Sequence, residues 1–399
     1  MKARPMLAAW IVVCLAFAAA GIKASEGAAN PAEPKVWGET HVLQYESYLL
    51  NYKQVPQPFG GSDARSRLDM YPSARGFYAG LSFAIEFNAS RGHVYSLEDV
   101  INVKRPKAAA VCLTCKTSAI PQLIAKYGEE GFFGGDFDKL AEEAEYPIGC
   151  ANCHNPEDMS RVITNPALKA ALAKAGKDPD AADPSEMRKL VCAQCHVEYF
   201  FKYSDYILTL PWDNGMDPHQ VEQYYESIGF TDWTHAVSGI ALIKVQHPEY
   251  ETYTDSIHDM MGLSCADCHM PPQEKDGTAY TSHWWTSPLN HISESPCLMC
   301  HDGTADELKQ RVLGLQEETA GRIEHIGEAL VGMHLLAGSK KAGLSEEKFA
   351  EVAALVRRAQ FRLDWVYSEN STGFHNSSML MSLLDEAEAL LVEAGKALE

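Results

Sequence analysis

Positive charge is scarce in this chain. Its 399 residues carry 34 Lys and Arg against 54 Asp and Glu, a formal net charge of −20. A nucleic-acid partner needs the opposite balance and is excluded, and no basic membrane-binding surface is supported. Acidity of this size keeps a secreted protein soluble. Long apolar runs are also lacking beyond the N-terminus, so no second spanning segment is expected. No internal repeat occurs apart from one short motif, and that motif is irregularly spaced, which argues against a solenoid of identical units. Cysteine outside that motif is missing too. Ten of the 11 cysteines fall in five C-x-x-C pairs, and Cys14 alone is left over.

The five pairs dominate what is present. They read Cys112-Leu-Thr-Cys115-Lys116, Cys150-Ala-Asn-Cys153-His154, Cys192-Ala-Gln-Cys195-His196, Cys265-Ala-Asp-Cys268-His269 and Cys297-Leu-Met-Cys300-His301. Four are C-x-x-C-H, the attachment signal of a c-type haem, in which both thiols bond the haem and the histidine ligates iron. Structural zinc closes with four ligands, so an odd number of pairs fits it poorly and the histidines go unexplained. A thioredoxin-like motif requires a single pair beside a βαβ pattern. Disulfides within the pairs are disfavoured by geometry. The pattern therefore predicts five covalently bound haem c groups.

The first motif ends in Lys116. An amine binds iron only when deprotonated, so the metal must hold its proton affinity down. Axial-ligand identity is a principal lever on haem chemistry. One distinct ligand among five implies a distinct task, an open distal face where substrate binds. The other four haems, closed on both faces, require four further histidines, and 15 histidines are available in all.

Lys2 and Arg4, the apolar stretch Met6 to Ala20 and the small residue Ala24 read as a signal peptide over 1–24, cleaved on export to the periplasm. The rival reading, an uncleaved anchor, is disfavoured by the shortness of the run. Residues 25–302 form the haem-bearing catalytic region and 303–399 a C-terminal helical region of the same domain. Phe77 to Phe87 is an apolar stretch of helical character. Gly131 to Gly135 and Asp178 to Pro184 read as loops, and short helices are expected at the C-x-x-C pairs. In the C-terminal region Leu308, Val312, Leu315, Ile323, Ile326, Leu330 and Met333 keep helical spacing. So do Phe349, Val352, Val356, Ala359, Leu363 and Val366, and then Leu380, Leu384, Ala387, Leu391 and Ala394. The fold class is mainly α, a multihaem cytochrome with haems as its core and long C-terminal helices. Those stripes suit either core packing or self-association.

The Cys-Leu-Thr-Cys-Lys site followed by four C-x-x-C-H sites resembles the pentahaem cytochrome c nitrite reductases, which form ammonium. Cys195-His196-Val197-Glu198-Tyr199, Lys244-Val245-Gln246-His247-Pro248-Glu249-Tyr250-Glu251, Arg91-Gly92-His93 and Gly373-Phe374-His375 extend the resemblance across roughly residues 40 to 395. It implies Lys116 as proximal ligand of the catalytic haem, with Arg105, Tyr199 and His247 around the open position. It implies four ligand pairs: His154 with His283, His196 with His93, His269 with His375, and His301 with His258. It implies calcium on the Glu198 carboxylate, the Tyr199 and Lys244 carbonyls and the Gln246 side chain, hard oxygens that suit this ion. His41, His219, His235, His291, His325 and His334 receive no ligand role. Leu113 departs from the tryptophan that many members carry there, which bears on packing.

The implied reaction is six-electron reduction of nitrite, with five haems storing and feeding charge. Arg105 and a protonated His247 would supply positive charge, and His247 the proton for N–O cleavage. Electrons would come from a multihaem quinol dehydrogenase, membrane-anchored or through a soluble carrier, and the C-terminal helices would form a homodimer. The alternatives are a multihaem electron-transfer cytochrome without catalysis, or a reductase of another small oxyanion or of hydroxylamine.

Overall fold

The structure, a computed structural model, describes residues 30–107, 109–202 and 206–399. The expected signal peptide at 1–24 lies outside the described residues. Three long helices end the chain, and their starts are fixed by side chains. Ala305–Lys340 begins with a reciprocal cap: Glu307 N–H donates to Thr304 Oγ1 at 3.2 Å, and Thr304 N–H donates to Glu307 Oε2 at 2.8 Å. Glu346–Ser368 begins at Ser345, whose Oγ accepts from Lys348 N–H. Ser377–Ala397 begins at Asn376, whose Oδ1 accepts from Met379 N–H. At 36 residues the first of these runs roughly 54 Å, at about 1.5 Å per residue.

The periodic stripes face inward. Leu308, Ile323, Ile326 and Leu330 are buried, as are Val352, Val356, Ala359, Leu363 and Val366, and all five stripe residues of the last helix. Val312, Leu315, Met333 and Phe349 are half-buried. The middle helix changes character toward its end, where every residue from Ala359 to Glu369 is buried. A helix enclosed on all sides must pair whatever polar groups it carries. Arg362 does so between Glu222 at 2.9 Å and Glu386 at 2.7 Å. Gln360 donates to the Phe77 carbonyl and accepts from His334.

The apolar core that these helices build also takes in Tyr78, Val221, Tyr225 and Leu242. A second cluster, with Val111, Leu113, Ile120, Phe132 and Leu140, surrounds the first cysteine motif. Leu113 is fully buried there. Pro31–Glu399 form one compact unit. Among the described residues strands are few: three two-stranded antiparallel pairs, of which Pro272–Lys275 with Thr278–Thr281 is the longest. Among the described residues no helix is long and apolar enough to cross a membrane.

Two local expectations need correction. Phe77 to Phe87 is not one helix. Ala74–Phe77 and the turn Ser82–Ala84 are separated by Gly80 at φ +95°, where an added Cβ would meet the Thr234 carbonyl at 3.1 Å. Gly131 lies inside the helix Ile120–Phe133, so only Gly134 and Gly135 continue as loop. The cysteine motifs do start on helical turns: Ala110–Leu113, Cys150–Asn152, the end of Pro184–Ala193, Cys265–His269 and Cys297–Cys300.

His235 and His334 stack with ring centroids 3.7 Å apart, and both are buried. Burial, and His235 beside it, push the His334 imidazole down to about 4. An unfolded histidine takes up its proton near 6.5, so between those values the unfolded state binds more protons and stability falls with falling pH. The full window is worth about 3 kcal/mol. Replacing His334 by glutamine should flatten that part of the stability–pH curve in denaturant unfolding. An unchanged slope would contradict the burial argument.

Candidate functional site

An internal cavity of about 1800 Å³ is lined by all ten motif cysteines. Pockets for a single small ligand run to about 1,000 Å³ at most, so this space suits several large groups. The motifs approach one another within it. The thiols of Cys115 and Cys195 are within hydrogen-bonding reach of each other, as are those of Cys192 and Cys265. Cys153 stands beside Cys195 and Cys297 beside Cys268. The third motif therefore meets the first and the fourth, with the second near the third and the fifth near the fourth.

Eight histidines meet in four pairs. Ring centroids are 6.2 Å apart for His154 and His283, 5.9 Å for His93 and His196, 6.3 Å for His269 and His375, and 6.2 Å for His258 and His301. Two metal–imidazole bonds of about 2 Å, plus about 1 Å from each nitrogen to its ring centre, sum to roughly 6 Å. The spacing suits one metal ion inside each pair. Nδ1 of His154, His269 and His283 is taken by the carbonyls of Met159, Thr286 and Thr281. That leaves Nε2 for a metal and fixes each ring's orientation. Of the histidines without an expected ligand role, His291 contacts the Cys268 carbonyl at 3.0 Å and His219 meets Glu386 at 2.8 Å.

Lys116 lines the same cavity, its carbonyl accepting from Ser96 Oγ at 3.0 Å. So do Arg105, Tyr199 and His247. The Arg105 guanidinium lies 3.8 Å from the Phe83 ring centre and donates to the Glu86 carbonyl at 3.3 Å. Tyr199 and His247 have centroids 6.4 Å apart. Burial pushes the Tyr199 phenol well up, so it stays a hydroxyl. Burial also pulls His247 down to about 3, against the opposing pull of Glu249 and with help from Lys116. Without an anion beside it this buried imidazole rests neutral, so the proton expected on it next to a bound anion has to be acquired with that anion.

The segment holding His247 is clamped from the middle C-terminal helix. Val245 N–H donates to Asp364 Oδ2 at 2.8 Å, and Ser368 Oγ donates to the Val245 carbonyl at 2.9 Å. Lys244 Nζ reaches Asp364 at 3.1 Å and Ser368 at 2.6 Å, and Tyr78 also bonds Asp364. Both members of the ion pair are buried. One step along, Gln246 N–H donates to Glu198 Oε2 at 2.5 Å, and Tyr225 donates to Glu198 Oε1 at 2.8 Å. Glu198 is fully buried, which raises its proton affinity well above the usual carboxylate range. No basic side chain pairs with it at ion-pair distance among the described residues. Glu251 accepts from Glu198 N–H and Trp212, and burial pushes it up to about 8. Among the described residues no three His, Cys, Asp or Glu side chains gather as a metal cluster. The expected calcium set draws instead on carbonyl and amide oxygens. Asp364, Ser368, Tyr225 and Glu251 were not anticipated. A carboxylate at 364, within an otherwise apolar Leu363–Trp365–Val366 run, was the available signal.

The cytochrome c552 family profile matches residues 33–399. The chain belongs to the cytochrome c552 family. Members named cytochrome c-552 include one from Bacteroides fragilis, 35% identical over 367 residues, covering 88% of this chain and 74% of the relative. Another, from Maridesulfovibrio salexigens, is 33% identical over 390 residues, with 91% and 75% covered. Among solved structures, the catalytic subunit of cytochrome c nitrite reductase from Desulfovibrio desulfuricans, with two calcium sites, is similar. It has a TM-score of 0.85 and 32% identity, covering 92% of this chain and 86% of that one. The mainly α, multihaem-cytochrome architecture expected from the motifs is thus the architecture of the cytochrome c552 family.

The buried Lys244–Asp364 pair carries a stability prediction. Asp364→Ala strands the ammonium in the interior and should cost about 3–5 kcal/mol in denaturant unfolding. A loss of less than about 1 kcal/mol, the range of a solvent-exposed pair, would show that the pair is not what anchors this segment.

Proposed function

We propose that this chain reduces nitrite to ammonium in the periplasm, at a haem c whose proximal ligand is Lys116. One observation carries the reading. The one motif ending in lysine has Arg105, Tyr199 and His247 near it, whereas the other four end in histidines that each face a second imidazole. Haem c, attached through the ten motif cysteines, supplies iron for binding the anion and five centres for storing electrons. Four would be closed by His154 and His283, His196 and His93, His269 and His375, and His301 and His258.

The residues' own roles follow from their surroundings. Arg105 keeps a positive charge where an anion loses its water, so attraction is strong there. Tyr199 donates its hydroxyl as a hydrogen bond. His247 is neutral at rest and must first acquire a proton. The incoming negative charge favours that proton, since an opposite charge at close range stabilises the imidazolium. His247 then acts as general acid toward the substrate oxygen. Calcium would be held by the Glu198 carboxylate, the Tyr199 and Lys244 carbonyls and the Gln246 amide oxygen. The support is a buried carboxylate that, among the described residues, has no basic side chain at ion-pair distance and lies beside those carbonyls. Gln246 as oriented donates Nε2 to the Lys244 carbonyl at 3.1 Å, so binding requires its amide to turn over. Export through the 1–24 segment, a multihaem quinol dehydrogenase as donor and a homodimer built on the C-terminal helices complete the reading.

The direct test is a haem stain of the purified protein followed by an ammonium assay with reduced viologen and nitrite. Two variants probe the site. Lys116→His should keep five haems and lose most nitrite turnover, and wild-type turnover would refute the lysine's special role. His247→Asn should slow nitrite reduction about 10²-fold or more, as loss of an acid catalyst does. An unchanged rate would remove His247 from the chemistry.

A further inference from the structure

The paired imidazoles differ in what stands behind them. His154, His269 and His283 each face a neutral backbone carbonyl through Nδ1, at 2.9, 3.1 and 3.0 Å. His375 faces a carboxylate instead, with Nδ1 2.5 Å from Glu369 Oε1. Glu369 is 1% exposed. Its other partners are the Ser371 N–H at 3.1 Å and the Ser371 hydroxyl, which donates to Oε2 at 2.6 Å. No lysine or arginine pairs with it among the described residues. Glu369 follows directly on the helix Glu346–Ser368, and its own N–H bonds the Trp365 carbonyl at 3.1 Å, so helix geometry fixes where the carboxylate points. Ser371 Oγ also accepts from His375 N–H at 2.8 Å, which locks acid and imidazole to one serine. His196 has a weaker counterpart, with Nδ1 3.5 Å from Glu249 Oε2, an ion-pair distance beyond a good hydrogen bond.

We propose that Glu369 is a tuning residue. By accepting the Nδ1 proton of His375, it gives that ligand imidazolate character and lowers the reduction potential of the haem between His269 and His375. The proposal rests on the reading above that this pair brackets a haem. A carboxylate behind a metal-bound imidazole raises its basicity. A more basic axial ligand favours the ferric state, and hydrogen bonding of this kind is one of the levers a protein has on haem potential. The fourth motif meets the third through Cys265 and Cys192 and has the fifth near it. An electron on this centre is held less tightly than on the carbonyl-backed centre of His154 and His283, and is passed on more readily. Glu369 touches no substrate and acts only through His375.

Spectropotentiometric titration, together with a pyridine haemochrome count, tests the assignment. Glu369→Gln keeps the shape and a hydrogen-bond acceptor but removes the charge. One midpoint should move up and the other four should stay. Ser371→Ala removes the hydroxyl that competes for the carboxylate, leaves Glu369 bonded more fully to His375 Nδ1 and should move the same midpoint down. If Glu369→Gln fails to fold, the serine variant alone decides. Five haems with unmoved midpoints overturn the proposal. A wild-type count below five marks failure of the underlying reading instead, and the proposal falls with it.

Discussion

One buried carboxylate joins the two halves of this molecule's design. Asp364 sits in the enclosed end of the middle C-terminal helix, where it takes the Lys244 ammonium and the Val245 amide together. A charge so placed is costly unless fully paired, so the segment from Lys244 to His247 has little freedom to lie elsewhere. The same helix end presents Ser368 to the Val245 carbonyl and Glu369 to His375. Three consecutive polar duties within six residues explain why that stretch is buried all round yet not apolar. The long C-terminal helices thereby act as the scaffold that aims side chains into the cavity, besides packing against one another.

Electrostatics inside the cavity favour an anion. Arg105 faces a space from which water is displaced when the large groups are bound, and His247 rests neutral there. A neutral imidazole beside a cationic neighbour is poised to gain a proton once negative charge arrives, which ties protonation to substrate binding. The raised Tyr199 phenol stays a donor over the same range. Glu198 and Glu251 lie one layer behind with their proton affinities raised by burial. A positive charge placed beside them would favour their ionised forms.

Much of this was legible in the chain, for reasons that differ by element. The helices of the last hundred residues follow from the three-and-four spacing of Leu308, Val352 or Leu380, because burial there is by side chains alone. The cysteine motifs announce themselves by covalent chemistry, which needs fixed spacing. Which histidine would approach which motif was implied only by family resemblance, since long-range proximity leaves no local trace. Phe77 to Phe87 misled because apolar content suggested a helix, while Gly80 imposes a turn that periodicity does not weigh. The Asp364 clamp and the Glu369–His375 contact were missed because a lone acid in a helix reads as a solvated face until its burial is known. The neutral resting state of His247 left no mark in the sequence, because titration depends on surroundings that spacing cannot supply.

The central claim is that one iron, held by the Lys116 amine, keeps a vacant position facing Arg105, Tyr199 and His247. Electron paramagnetic resonance of the oxidised protein addresses it most directly. A single high-spin ferric centre, perturbed by added nitrite, is expected beside four low-spin centres closed on both faces. A spectrum in which all five centres are low-spin, and which nitrite leaves unchanged, would contradict it.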